Sequence, residues 1–132
     1  MLKLGIVGTG GMAHEHARRY GEIPEVELVA ACDVVPDQVK DFCARHGIPE
    51  AFTRLEDLLE QSEAEAVSIV TPDSTHKLLS LRALAAGCHV LCEKPLATTA
   101  TDAREMARAA QQSGRIHMVN FTYRNSSAWQ TA

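Results

Sequence analysis

No run of apolar residues in this 132-residue chain approaches the roughly 20 needed to cross a bilayer as a helix. The N-terminus, Met1-Leu2-Lys3-Leu4-Gly5-Ile6-Val7, lacks the layout of a secretory signal, because its apolar stretch runs straight into glycines. A membrane partner is therefore not expected, and the cytoplasm is the expected location. Cysteine is sparse: Cys32, Cys43, Cys88 and Cys92 form neither a CxxC metal pair nor a dense disulfide framework. Free buried thiols in a reducing compartment are expected instead. The histidines show no spacing that would hold a metal, so no metal is expected. An excess of positive charge is also missing. The net charge is −4, and the Lys and Arg residues are scattered, which argues against a nucleic-acid surface. Internal repeats, low-complexity tracts and flexible linkers are absent. The sequon Asn125-Ser126-Ser127 has no secretory context and carries no weight.

What the chain does have is regular alternation. Apolar runs at Leu2–Val7, Val26–Cys32, Glu50–Phe52, Ala66–Val70, Cys88–Cys92 and Ile116–Phe121 read as strands. The first is nearly all apolar, as a parallel strand buried on both faces should be. Between them lie helical patterns. One runs from about Met12 to Gly21. Another opens at Pro36, carries Val39, Phe42 and Cys43 on one stripe, and closes at Gly47. Thr53-Arg54-Leu55-Glu56 has capping-box spacing before a Leu55, Leu58, Leu59 stripe. A fourth helix reaches Ala86 with Gly87 behind it, with Asp73 or Ser74 as its N-cap, and a fifth runs from about Thr99 to Ser113 before Gly114. Short loops joining such units imply a single α/β domain, a doubly wound parallel sheet of about six strands in the Rossmann manner. Its expected extent is 1–124. Residues 125–132 read as the first turns of a further helix, leading to a domain outside this chain.

Gly8-Thr9-Gly10-Gly11-Met12-Ala13 fits G-x-G-x-x-G/A directly after a strand and at the start of a helix. In that setting Gly8 permits the tight turn, Gly10 lets backbone approach a pyrophosphate, and the small Ala13 lets helix and strand pack closely. The amides near Gly11 and Met12 would face the phosphates, backed by the helix dipole. Asp33 lies 20 residues beyond Ala13, the offset of the acid that binds the adenosine ribose hydroxyls. Its charge would repel a 2′-phosphate, and Val34 and Val35 offer no cation to hold one, so NAD is favoured over NADP. Asp33 could also cap the helix opened by Pro36, and the two roles can coexist.

In open α/β sheets ligands bind beyond the carboxyl ends of the strands. Three polar clusters fall there: Thr71-Pro72-Asp73-Ser74-Thr75-His76, Glu93-Lys94-Pro95, and Asn120 to Arg124. Together with the glycine loop, T-P-x-x-x-H and E-K-P-L resemble the glucose–fructose oxidoreductase / inositol dehydrogenase family, Gfo/Idh/MocA, along the whole chain. Phe121-Thr122-Tyr123-Arg124 and Trp129 resemble its segment leading into a second domain. The resemblance implies a dehydrogenase moving hydride between a nicotinamide cofactor and a hydroxyl-bearing carbon of a small-molecule substrate of sugar or polyol type. It implies that Lys94 contacts the substrate hydroxyl, that Glu93 lies against the nicotinamide ribose, and that Thr71 and Pro72 run along the cofactor. It also implies a cis peptide at Lys94–Pro95. An ammonium at Lys94 would stabilise developing alkoxide. On its own a lysine at a strand end is as well read as a solvated charge. His76 would suit a capping or packing role equally, and contact with the cofactor, rather than catalysis, is the expectation for it.

In that family the proton-transfer histidine and most of the substrate pocket belong to the second domain. This chain alone is thus expected to bind cofactor without turning over substrate, and to self-associate as a homo-oligomer through exposed apolar surface. Two other classes remain as alternatives, a non-catalytic nucleotide sensor and a methyltransferase with a similar glycine loop.

Overall fold

Six parallel strands form one sheet in the computed structural model, which describes residues 1–121. They are β1 (Leu2–Val7), β2 (Val26–Cys32), β3 (Glu50–Phe52), β4 (Ala66–Ile69), β5 (His89–Glu93) and β6 (His117–Asn120). Their order across the sheet is β3-β2-β1-β4-β5-β6. The helices are α1 (Gly11–Gly21), α2 (Pro36–His46), α3 (Leu55–Gln61), α4 (His76–Ala85) and α5 (Ala100–Ser113), with a short 3-10 turn at Asp73–Thr75. The expected doubly wound sheet is thus present. The expectations for Tyr123, Arg124, Trp129 and the helix from residue 125 lie outside the described residues.

Alternate residues of the central strands feed two separate cores. Ile6 packs with Ala13, Ala17, Val39 and Phe42 under α1 and α2. Val7, next in sequence, faces the other way with Leu55, Leu58, Val67 and Leu84 under α3 and α4. This two-sided burial is why β1 and β4 read as nearly continuous apolar runs, interrupted only at Lys3 and Ser68. The sheet order turns back between β1 and β4, which leave their carboxyl ends side by side at the topological switch.

Glycine closes two helices as anticipated. Gly47 and Gly114 follow α2 and α5 with φ of +66° and +65°. Thr99 caps α5 by accepting from the Asp102 amide. Two cap expectations are corrected. Arg54, not Thr53, precedes α3, and no side chain caps it. Glu56, the acid of the expected capping box, is drawn instead to the guanidinium of Arg82. Neither Asp73 nor Ser74 caps α4, because Pro72 leads straight into the 3-10 turn and both side chains stay exposed. The Thr75 hydroxyl organises that turn, 2.7 Å from both Thr71 Oγ1 and the Pro72 carbonyl. Strand edges differ from expectation by a residue: β4 ends at Ile69 and β5 begins at His89.

Candidate nucleotide-binding site

A cleft of about 580 Å³ opens at the carboxyl ends of β1, β2 and β4. Gly8, Gly10, Asp33, Val34, Thr71 and Pro72 all line it, so six of the residues singled out from sequence meet on one wall. Arg54, Leu78 and Leu79 complete it from the helix side.

The glycine loop is built for close approach. Gly8 adopts φ of +91°, and a Cβ there would sit 2.7 Å from the Val70 carbonyl. Only glycine fits without displacing backbone. Gly10 differs, since a Cβ there would meet nothing within 4 Å. The space before it is open. Gly10 is also the N-cap of α1, no side chain caps that end, and the first turn holds no acidic residue. The free amides of Gly11 and Met12, both exposed, therefore face solvent with the positive end of the helix dipole. That arrangement fits the phosphates of a dinucleotide.

Asp33 directly follows β2 and is well supplied with donors. Its Oδ2 accepts from the Thr9 amide at 2.8 Å, the Thr9 hydroxyl at 3.0 Å and Gln38 Nε2 at 3.1 Å. Among the described residues its Oδ1 accepts only from the Val35 amide, at 3.0 Å. The carboxylate is held rigidly and keeps acceptor capacity toward the cleft, where Val34 is almost fully exposed.

Glu93, Lys94 and Pro95 stand further along the same sheet end, beyond the cleft wall. Lys94 and Pro95 are exposed, and the Lys94–Pro95 peptide is cis, as the resemblance implies. Glu93 is partly buried and accepts from His16 Nε2 at 2.8 Å, Asn120 Nδ2 at 2.7 Å and the Lys94 amide at 3.1 Å. Burial pushes its carboxyl up. The hydrogen bonds from Asn120, His16 and Lys94 outweigh that, and the net shift is downward.

His76 takes a place behind this surface. It is 1% exposed, with Nδ1 2.7 Å from the Pro95 carbonyl and Nε2 2.9 Å from the Thr71 carbonyl. It pins the loop after β4 to the loop after β5, and Asp73 stands exposed on the former.

Sequence reasoning gave no site role to Thr9, Gln38, Arg54 and above all His16, and placed Asn120 in a polar cluster without a partner. A signal for His16 was present: Ala13, His16, Ala17 and Tyr20 share one face of α1, the face on the sheet. His14 does point elsewhere, as its offset of two residues requires, and pairs with His46 at 2.7 Å. All four cysteines are free and buried. Among the described residues no cluster of three or more His, Cys, Asp or Glu is placed to hold a metal ion. No helix among them is long and apolar enough to cross a membrane.

Comparison with known proteins gives a consistent picture. Residues 2–121 match the model of the GFO_IDH_MocA oxidoreductase family, NAD-binding Rossmann fold. The chain is 36% identical over 126 residues to inositol 2-dehydrogenase of Paracoccus denitrificans, covering 93% of this chain and 38% of that protein. It is 35% identical over 124 residues to D-glucoside 3-dehydrogenase of Escherichia coli, covering 93% and 35%. Among solved structures it resembles scyllo-inositol dehydrogenase from Lactobacillus casei with bound NAD(H) and scyllo-inositol, with a TM-score of 0.92 at 28% identity over 99% of this chain and 39% of that one. It also resembles the WlbA dehydrogenase from Bordetella pertussis in complex with NADH and UDP-GlcNAcA, with a TM-score of 0.93 at 30% identity over 98% and 40%. The chain thus spans well under half the length of these relatives.

Proposed function

The chain belongs to the GFO_IDH_MocA oxidoreductase family, and on that premise we propose that it is the cofactor-holding part of an NAD-dependent dehydrogenase acting on a sugar, a polyol or a similar small molecule. The observation that carries this reading is the uncapped N-terminus of α1, open in front of Gly10, at one end of a cleft that also holds Asp33. A pyrophosphate on Gly8, Gly10, Gly11 and Met12 answers the free amides. An adenosine ribose on Asp33, with Val34 beside it, uses the spare acceptor capacity of Oδ1. The rigid carboxylate repels a 2′-phosphate, which supports NAD over NADP. Thr71, Pro72 and Asp73 flank the path of the cofactor, and His76 supports it indirectly by holding two loops together.

When bound, the nicotinamide supplies the hydride acceptor or donor. Lys94 would meet a substrate hydroxyl, a role supported by its exposure just past β5 between Glu93 and Pro95. Its ammonium would hold negative charge developing on oxygen as the carbon–hydrogen bond breaks. Relatives named as inositol and glucoside dehydrogenases support a hydroxyl-rich substrate. Exposed Ile116, Met118 and Phe121 along the edge strand β6 support self-association into a homo-oligomer. Absence of a spanning helix among the described residues is compatible with a cytoplasmic enzyme.

Titrating the 132-residue protein with NADH, NADPH and S-adenosylmethionine, by fluorescence or calorimetry, tests the reading. Binding of NADH in preference to the other two is expected. Preference for S-adenosylmethionine, or no binding of NADH, would overturn it.

A further inference from the structure

His16 is buried under α1 and lies outside the cleft wall, yet it reaches the far end of the site. Its Nε2 lies 2.8 Å from Glu93 Oε1. Its Nδ1 lies 3.2 Å from Tyr20 Oη and 3.3 Å from Ser68 Oγ, two hydroxyls 2.9 Å apart. An ionised carboxylate can only accept, so the contact to Glu93 requires a proton on Nε2. Nδ1 then has hydroxyl donors within reach, and the ring's orientation and tautomer are both determined by its partners.

The link ties α1 directly to the end of β5, a strand that pairs with β4 and β6 and reaches β1 only through β4. Glu93 immediately precedes Lys94 at the end of β5, and its other two partners, Asn120 and the Lys94 amide, are local to the β5–β6 end of the sheet. His16 alone among the three comes from α1, the helix whose N-terminus carries Gly10 and Gly11. A partly buried carboxylate loses water on its protein side and needs its donors there to stay in place, so displacing His16 carries a cost.

We propose that His16 is a positioning residue that, through Glu93, locks the glycine-loop helix to the Lys94 turn so that the two ends of the dinucleotide are gripped in register. The proposal rests on the NAD(H) reading above. It predicts that loss of the link is felt by a ligand spanning both ends and not by one that occupies only the phosphate and adenosine end.

The test compares NADH with ADP on the native chain and on H16N, H16Q and E93Q. Asparagine places its amide near the position of Nδ1 and leaves Glu93 without its donor. Glutamine places its amide near Nε2 and keeps that donor. H16N should weaken NADH binding about tenfold, the size expected when a hydrogen bond to a charged group is lost, and leave ADP within about twofold. H16Q should restore NADH binding to within about threefold of native. In an E93Q background H16N should add nothing further. Equal weakening of NADH and ADP by H16N, or an undiminished effect in E93Q, would show a merely structural histidine and overturn the proposal. Native chain that binds NADH while H16N binds it equally well overturns this inference alone; native chain that binds no NADH overturns the cofactor reading itself. Should H16N fail to fold, nitrogen-15 spectra of the native imidazole decide. A ring carrying its proton on Nε2 supports the link, and one protonated on Nδ1 alone refutes it.

Discussion

Thr9 gives both of its hydrogens to one oxygen of Asp33: the amide at 2.8 Å and the hydroxyl at 3.0 Å converge on Oδ2. The acid at the end of β2 is therefore a strut for the glycine loop as well as a candidate ribose ligand. Replacing it should have two separable effects. Asp33→Ala should weaken NADH about tenfold or more and bring NADH and NADPH closer together, while costing about 1–3 kcal/mol of stability through the orphaned Thr9 donors. Asp33→Asn keeps an acceptor for Thr9 and should recover most of the stability while still narrowing the cofactor preference. Fluorescence titration and urea unfolding read the two effects independently.

The two glycines of the loop should fail in opposite ways. Gly8→Ala puts a methyl 2.7 Å from a backbone carbonyl at φ of +91°, so it should destabilise the fold by about 1–3 kcal/mol before any ligand is added. Gly10→Val places its side chain in open space and should leave the unfolding midpoint nearly unchanged, yet abolish dinucleotide binding. Thermal unfolding with and without NADH checks both. A Gly10→Val protein that still gains stability from NADH would show that the pyrophosphate lies elsewhere.

The thiols should be inert at neutral pH and should matter at high pH. Burial, with lesser help from Asp33 and other acids nearby, pushes the Cys32 thiol up to about 12, and burial pushes Cys92 up to about 11. A raised pKa means that the fold favours the neutral thiol. The stability tied to it is complete below the ordinary thiol value near 8.5 and is lost as pH rises from there toward about 12. Unfolding free energy should accordingly fall across that window, more shallowly in Cys32→Ala. At pH 8 a thiol reagent should leave the native protein unmodified and react with all four cysteines in denaturant.

Much of the site was legible because its marks are local. Gly8 and Gly10 stand next to a strand end and a helix start, and Asp33 sits at a set offset along the chain. Lys94 was legible only through the E-K-P-L resemblance, since a lysine at a strand end carries no signal by itself. Thr53 and Asp73 misled because capping patterns state what a side chain is able to do, while neighbours decide what it does. Glu56 was claimed by Arg82 from another helix, and the turn after Pro72 was organised by Thr75.

The sequence by itself determined the alternation of strand and helix, the parallel sheet that follows from it, and the glycine loop with its acid. These depend on period, punctuation and spacing within some 35 residues, which a chain carries wherever it goes. Only the tertiary structure decided that His16 meets Glu93 77 positions away, that Asn120 joins them, and that His76 ties the Thr71 carbonyl to the Pro95 carbonyl. Such pairs arise when the sheet order places α1, β5 and β6 around one buried volume. A buried polar group must then take whichever partner that volume contains, because water is no longer there to serve as one.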